Sequence, residues 1–189
     1  MRVFESALLS LLAVPLACNS GPAADQASMA MSSLRSSSDR GSGDEQVQVR
    51  DDCDPATFDA ALGPGACVGK GNTTLQEFFE ELTETQTAKK WRFNNDQFGI
   101  DPGETIVATN RGGEAHTFTQ VAEFGGGFVP QLNDLSGNPD VAPECQLPGA
   151  AATIVPPGGS RTVNAPASGT VKYQCCIHPW MRAVATVKQ

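Results

Sequence analysis

Tyr173-Gln174-Cys175-Cys176-Ile177-His178-Pro179-Trp180-Met181 places a thiol, an imidazole and a thioether on one tight loop. Counted from Cys175, the donors are spaced Cys-x-x-His-x-x-Met. Soft sulfur stabilises Cu(I), while imidazole suits either oxidation state of copper. Two His and one Cys with a weak axial Met form the donor combination that selects copper and tunes its potential. The loop supplies one imidazole. With 2 His in 189 residues, the other has to be His116. The expected ligands of one copper ion are therefore His116, Cys175, His178 and Met181.

The loop lies between period-2 segments at 169–175 and 183–187. Similar segments recur at 105–109, 116–121 and 160–163, with a shorter β-like piece at 91–93. Asp101-Pro102-Gly103 and Asn110-Arg111-Gly112-Gly113 bracket the 105–109 segment, and His116 opens the next one after that Gly-rich turn. Short alternating segments separated by Gly, Pro and Asn predict an all-β sandwich. No helix–strand alternation and no Gly-rich phosphate motif points to a nucleotide fold. Residues 122–157 break the rhythm with Gly125-Gly126-Gly127, Pro130, Gly137-Asn138-Pro139, Pro143 and Pro148. A loop this long inside a compact domain has a role or is pinned, and Cys145 offers a pin. Residues 124–128 could shape a metal entrance, although a structural turn is the plainer reading.

The C-terminal pattern resembles the ligand loop of the small blue-copper proteins, the cupredoxins, especially their amicyanin and plastocyanin branches. Those carry Tyr or Phe two residues before the Cys, then His-Pro, an aromatic residue and Met ahead of a strand. Tyr173, Cys175, His178, Pro179, Trp180 and Met181 fill these places. The resemblance covers residues 91–189. It implies a Greek-key β-sandwich, one type 1 copper ion cycling between Cu(I) and Cu(II), and His178 near the surface as the electron port. The chain departs from the pattern in three places. Cys176 stands where Thr or Ser is usual, Ala183 stands where Gly is common, and the 122–157 loop carries its own Cys. Strand neighbours point to opposite faces, so only one of Cys175 and Cys176 can face a metal, and the family spacing assigns Cys175. Four cysteines then remain besides Cys18, with three possible pairings. Cys53–Cys67 together with Cys145–Cys176 is preferred on proximity.

Upstream, Arg2, the apolar run over 7–14 and Pro15-Leu16-Ala17-Cys18 read as a secretory signal over residues 1–18. That run is too short to span a bilayer. Leu16-Ala17-Cys18 also resembles the end of a bacterial lipobox, with Cys18 as the lipidated residue and the sole membrane attachment. Pro15 and Glu5 depart from that pattern, and simple secretion is the alternative. Either way the expected location is the periplasm or cell surface. Residues 19–52 are rich in Ser, Gly, Ala, Asp and Gln and read as a flexible tether.

Residues 53–90 read as a helical preface. Cys53 and Cys67 bracket a short helix capped by Asp54, begun at Pro55 and stopped by Gly63-Pro64. A second helix is capped by Thr73 or Thr74, with Glu77 completing a capping box behind Thr74. Its apolar face is Leu75, Phe78, Phe79 and Leu82, expected to pack on the domain at 91–189. Glu77, Glu80, Glu81 and Glu84 read as a mostly solvated face.

Lys+Arg 13 against Asp+Glu 21 gives a net charge of -8, which argues against nucleic acid. Six Cys in an exported chain favour disulfides. The expected function is single-electron transfer between protein redox partners, by a monomer. Copper sequestration or delivery by the same ligands is the alternative. Enzymatic copper chemistry is not expected, because two His cannot furnish further His-rich centres. No Cys-x-x-Cys pair or haem-attachment spacing is present, and zinc would leave Met181 unexplained. Taken singly, each residue has a plainer reading. His116 would be an ordinary surface or core histidine, Cys175 a disulfide half, and Met181 a gap-filler. Tyr173 reads as core, and Trp180 as packing or part of a docking patch.

Overall fold

The computed structural model describes residues 43–189. The signal segment, Cys18 and the tether up to residue 42 lie outside the described residues.

Among the described residues, ten strands and three α-helices follow in chain order. They are β1 (Glu45–Arg50), α1 (Pro55–Leu62), α2 (Leu75–Thr85), β2 (Arg92–Asn94), β3 (Gln97–Ile100), β4 (Thr105–Asn110), β5 (His116–Thr117), β6 (Thr119–Val121), α3 (Pro130–Leu135), β7 (Ile154–Val155), β8 (Ser160–Asn164), β9 (Gly169–Gln174) and β10 (Arg182–Val187). One sheet has the order β2-β1-β4-β8 and the second β3-β10-β9-β6, with β5 and β7 forming a separate two-stranded piece. The inward residues alternate as the period predicts. Val47, Val49, Ile106 and Ala108 come from the first sheet, and Val171, Tyr173, Ala183 and Ala185 from the second; all belong to one buried cluster. The chain is thus a Greek-key β-sandwich with a small helical part.

Glu45-Gln46-Val47-Gln48-Val49-Arg50 corrects the tether boundary. The segment is polar in composition but strictly alternating, and its two valines are fully buried. As β1 it runs parallel to β4, with Val49 opposite Asn110, and antiparallel to β2. The 116–121 segment, read as one strand, is two. Phe118 turns between them with its N–H donated to Thr153 O at 3.0 Å. β5 pairs with β7, while β6 joins the edge of the second sheet beside β9.

Both preface helices form where their caps predict. The Asp54 carboxylate accepts from Thr57 N–H, and Gly63 ends α1 at φ +106°, a conformation costly for any side chain. Thr74, not Thr73, caps α2 in a full capping box with Glu77. Phe58, Phe78 and Leu82 are buried in the same core as the strands, around Trp91. Phe58 stacks on Trp91 with ring centroids 5.9 Å apart, and Phe78 meets it at 4.6 Å.

Disulfides join Cys53 to Cys67 and Cys145 to Cys176. The second pins the 122–157 segment, which also carries α3, β7 and two turns of 3₁₀ helix. Among the described residues Cys175 is the free cysteine, and it is buried.

Candidate metal centre

Three elements and one loop converge at one end of the sandwich. β5 carries His116, held by its pairing with Val155. Cys175 follows β9 directly, and the backbone between Cys175 and Met181 closes on itself. Cys175 N–H donates to Met181 O at 3.0 Å, and Met181 N–H donates to His178 O at 2.9 Å. This tight closure brings the imidazole of His178 back toward the thiol. Asn110, buried at the end of β4, fixes the approach to His116. Its amide donates to Glu114 O at 2.7 Å and to Val155 O at 3.0 Å, while its carbonyl accepts from Gly112 N–H at 2.9 Å.

The outcome is a compact donor cluster of His116, Cys175 and His178, all buried, with ligating atoms within 4.8 Å of one another. Cys175 Sγ lies 3.8 Å from His116 Nδ1 and 3.8 Å from His178 Nδ1. An ion that bonds a thiolate at about 2.3 Å and an imidazole nitrogen at about 2.0 Å would need the two atoms no more than about 4.3 Å apart. The three residues therefore fit one shared ion. Met181 is buried in the same core cluster as Cys175. Cys176, the neighbouring thiol, is turned away into its disulfide, and its N–H donates to Thr117 Oγ1 at 2.7 Å.

The electrostatics of the cluster favour a thiolate. Burial pushes the Cys175 thiol up, but the hydrogen-bonding contacts and charge of His116 and His178 outweigh it and hold the thiol well below its ordinary range. Thr117 N–H also donates to Cys175 Sγ, at 3.3 Å. Burial opposes a charge on His116, yet Asp51 and Cys175 overcome it and push its pKa from 6.5 to about 9. Bound metal would take the place of that second imidazole proton, so binding releases protons.

His178 departs from expectation. It is 2% exposed, so its imidazole does not lie open at the surface. The preface covers it: Phe78 of α2 meets the imidazole edge-on with centroids 6.3 Å apart, and Trp180 does so at 5.4 Å. Trp180 in turn donates its indole N–H to Ala88 O at 3.2 Å. Glu114 lies nearby with Oε2 3.7 Å from His178 Nε2 and accepts the indole N–H of Trp91. Burial raises the Glu114 carboxyl against the pull of His178 and Trp91.

Sequence reading missed Asp51, Glu114 and Phe78 as neighbours of the site, and it missed what three glycines do. A Cβ on Gly112 would sit 1.9 Å from Asp51 Oδ2, and one on Gly113 would sit 2.7 Å from Cys53 Sγ. A Cβ on Gly127 would sit 1.9 Å from Cys176 O. The first two admit the preface against the His116 loop. The third seats the 122–157 segment against the ligand loop. The detectable signal was the Gly112-Gly113 pair immediately before His116.

Solved cupredoxins are similar to this chain. A reduced Cu(I) form of an amicyanin variant at pH 4 shares 19% identity, covering 54% of this chain and 77% of its own, with a TM-score of 0.36. A purple cupredoxin from Nitrosopumilus maritimus shares 16% identity over 77% of this chain and 100% of its own, with a TM-score of 0.42. An oxidised plastocyanin from Dryopteris crassirhizoma shares 16% over 76% of this chain and 99% of its own, with a TM-score of 0.39. No protein-family model matches the sequence, and no curated protein matches it. At these overlaps the strand order and the donor cluster carry the argument.

Proposed function

We propose that the chain is a mononuclear blue-copper electron carrier, in which His116, Cys175 and His178 would hold the ion with Met181 as a weaker fourth donor. The observation that carries this reading is the buried cluster in which both imidazole Nδ1 atoms stand 3.8 Å from the Cys175 sulfur. Two His and one Cys as the clustered donors, with Met on the same loop, match copper better than a closed tetrahedral zinc site. Bound there, copper supplies a one-electron couple.

The protein's own part is to hold the donors fixed in a dry surround. The imidazoles are braced by packing, the thiolate takes the Thr117 N–H, and the loop is closed by backbone bonds. Such a frame changes little between oxidation states. Full burial of His116, Cys175 and His178 also favours a retained ion over one handed to a chelator, which places electron transfer ahead of delivery. With His178 covered, electrons pass through the aromatic contact at Trp180, which is partly exposed. The partners are then redox proteins that dock over this indole. Two disulfides support an oxidising, extracytoplasmic setting. No helix among the described residues is long and apolar enough to cross a membrane.

The test is to express the full chain through an oxidising export route, load it with Cu(II), and record the visible spectrum and copper stoichiometry. One copper per chain and an intense thiolate-to-copper band are expected. The band should vanish in Cys175→Ala and survive in the paired Cys145→Ser/Cys176→Ser variant. A protein that holds Cu(I) but stays colourless with Cu(II) would point to sequestration or delivery instead.

A further inference from the structure

Asp51 lies between β1 and the preface, outside the segment that carries the four copper donors. Its side chain is 1% exposed. Oδ2 stands 2.8 Å from His116 Nε2 and accepts from Glu114 N–H at 3.1 Å. Oδ1 accepts from Gly113 N–H at 2.8 Å and from Cys53 N–H at 3.4 Å. Its partners come from the preface, the 112–114 turn and β5, so the carboxylate cannot swing away without breaking several bonds at once.

The route by which Asp51 arrives is built into the fold. β1 runs parallel to β4, and Arg111 N–H donates to Val49 O at 2.8 Å, which carries the next residues alongside the turn that leads to His116. Gly112 leaves the space the carboxylate occupies. Among the described residues His178 has no equivalent brace, since its nearest carboxylate is 3.7 Å away and engaged by Trp91.

We propose that Asp51 is a positioning residue of the metal centre, orienting His116 and biasing the bound ion toward its oxidised state. An ionised carboxylate only accepts hydrogen bonds, so it keeps a proton on His116 Nε2 and leaves the Nδ1 lone pair facing Cys175. Partners of this kind raise the basicity of a ligating imidazole, and losing one costs about 10–100-fold in metal affinity. A negative charge one imidazole away from the ion favours the higher charge, so the loss should fall more heavily on Cu(II) than on Cu(I). The inference rests on the copper reading above and gives β1 and the preface junction a share in the metal site.

The experiment compares the full chain with Asp51→Asn, which keeps the shape and one acceptor, and with Asp51→Glu, which restores the charge. Cu(II) and Cu(I) affinities are measured by competition and the midpoint potential by voltammetry. The Asn variant should lose about tenfold or more in Cu(II) affinity, lose less in Cu(I) affinity, and show a higher potential. The Glu variant should recover part of the shift. Equal losses for both oxidation states, with the potential unmoved, would reduce Asp51 to a structural tie and overturn the proposal. Should Asp51→Asn fail to fold, nitrogen NMR of the unaltered Cu(I) protein decides. A His116 Nε2–H proton shifted far downfield by a hydrogen bond to a carboxylate supports the proposal, and one at the position of an imidazole N–H without such a bond overturns it. An unaltered chain that takes up no copper overturns the electron-carrier reading and this one together, whereas unchanged affinities in the Asn variant overturn this one alone.

Discussion

At the scale of single residues, His116, Cys175 and His178 gather within 4.8 Å of one another on a backbone whose close approaches depend on glycines. Cys175, His178 and Met181 announce themselves by chemistry and spacing, and His116 by being the other of two histidines. Residues that act by being small carry no such mark. Gly127 reads as part of a turn, yet its missing Cβ is what lets Phe128 N–H reach Cys176 O at 2.8 Å. Gly127→Ala should therefore press on the backbone of the ligand loop. Overpacking of this kind costs about 1–3 kcal/mol, which urea unfolding of the metal-free protein would show as a lowered midpoint. The same variant should shift the visible band of the copper form. Gly149, whose Cβ would meet open space, is the control, and Gly149→Ala should stay within about 0.5 kcal/mol. If both variants behave alike, the contact between the 122–157 segment and the ligand loop is not a constraint.

Among the elements, those with a local signature formed where the sequence puts them. α1 and α2 have caps that name their first residues, and β4, β9 and β10 alternate between clear turn signals. β1 was hidden because its alternation rests on two valines in a Ser- and Gln-rich stretch, where composition suggests disorder. The 116–121 strand was misread as continuous because period 2 cannot tell which sheet each half joins. The preface is tied down largely by carboxylates, and this makes it acid-sensitive. Burial pushes Asp52 up, but Lys90 at 2.6 Å and Thr73 outweigh it and hold it below its ordinary value. The N–H groups of Cys67 and Gly65 lower Asp59, and Thr74 lowers Glu77. Each group has a folded pKa below its unfolded one, so its contribution is complete above the unfolded value of about 4. It is lost as pH falls through the depressed folded value. Hydrogen-exchange protection in α1 and α2 should thus fall below about pH 4 while β9 and β10 remain protected. Simultaneous loss in helices and strands would mean that the preface has no separate acid weakness.

Across the whole molecule, the preface and the sandwich share one core, and the preface covers the metal-binding end. Phe78 lies against His178, and Val68 N–H donates to Gly113 O at 2.9 Å. The resemblance of residues 91–189 to small copper proteins says nothing about such a cover, because the residues that make it precede that region. With His178 sealed beneath α2, a metal ion that enters or leaves past this face has to wait for the preface to lift. The Cys53–Cys67 disulfide, with a sequence separation of 14, closes the loop that carries α1 and so stabilises the folded preface that makes the cover. Closing a loop of about that length contributes about 3 kcal/mol against unfolding of the preface, so removing the link should enrich a form opened by that unfolding by at most about 100-fold. Replacing both partners, as Cys53→Ser/Cys67→Ser, should leave the visible band of the loaded protein in place, since neither sulfur belongs to the donor cluster. It should also speed copper release to an excess of Cu(I) chelator by as much as about 100-fold, read as the decay of bound copper with time. If release keeps its original rate while thermal unfolding shows the preface to be loosened, the ion leaves by the 122–157 side, and the cover over His178 governs electron access without governing the metal.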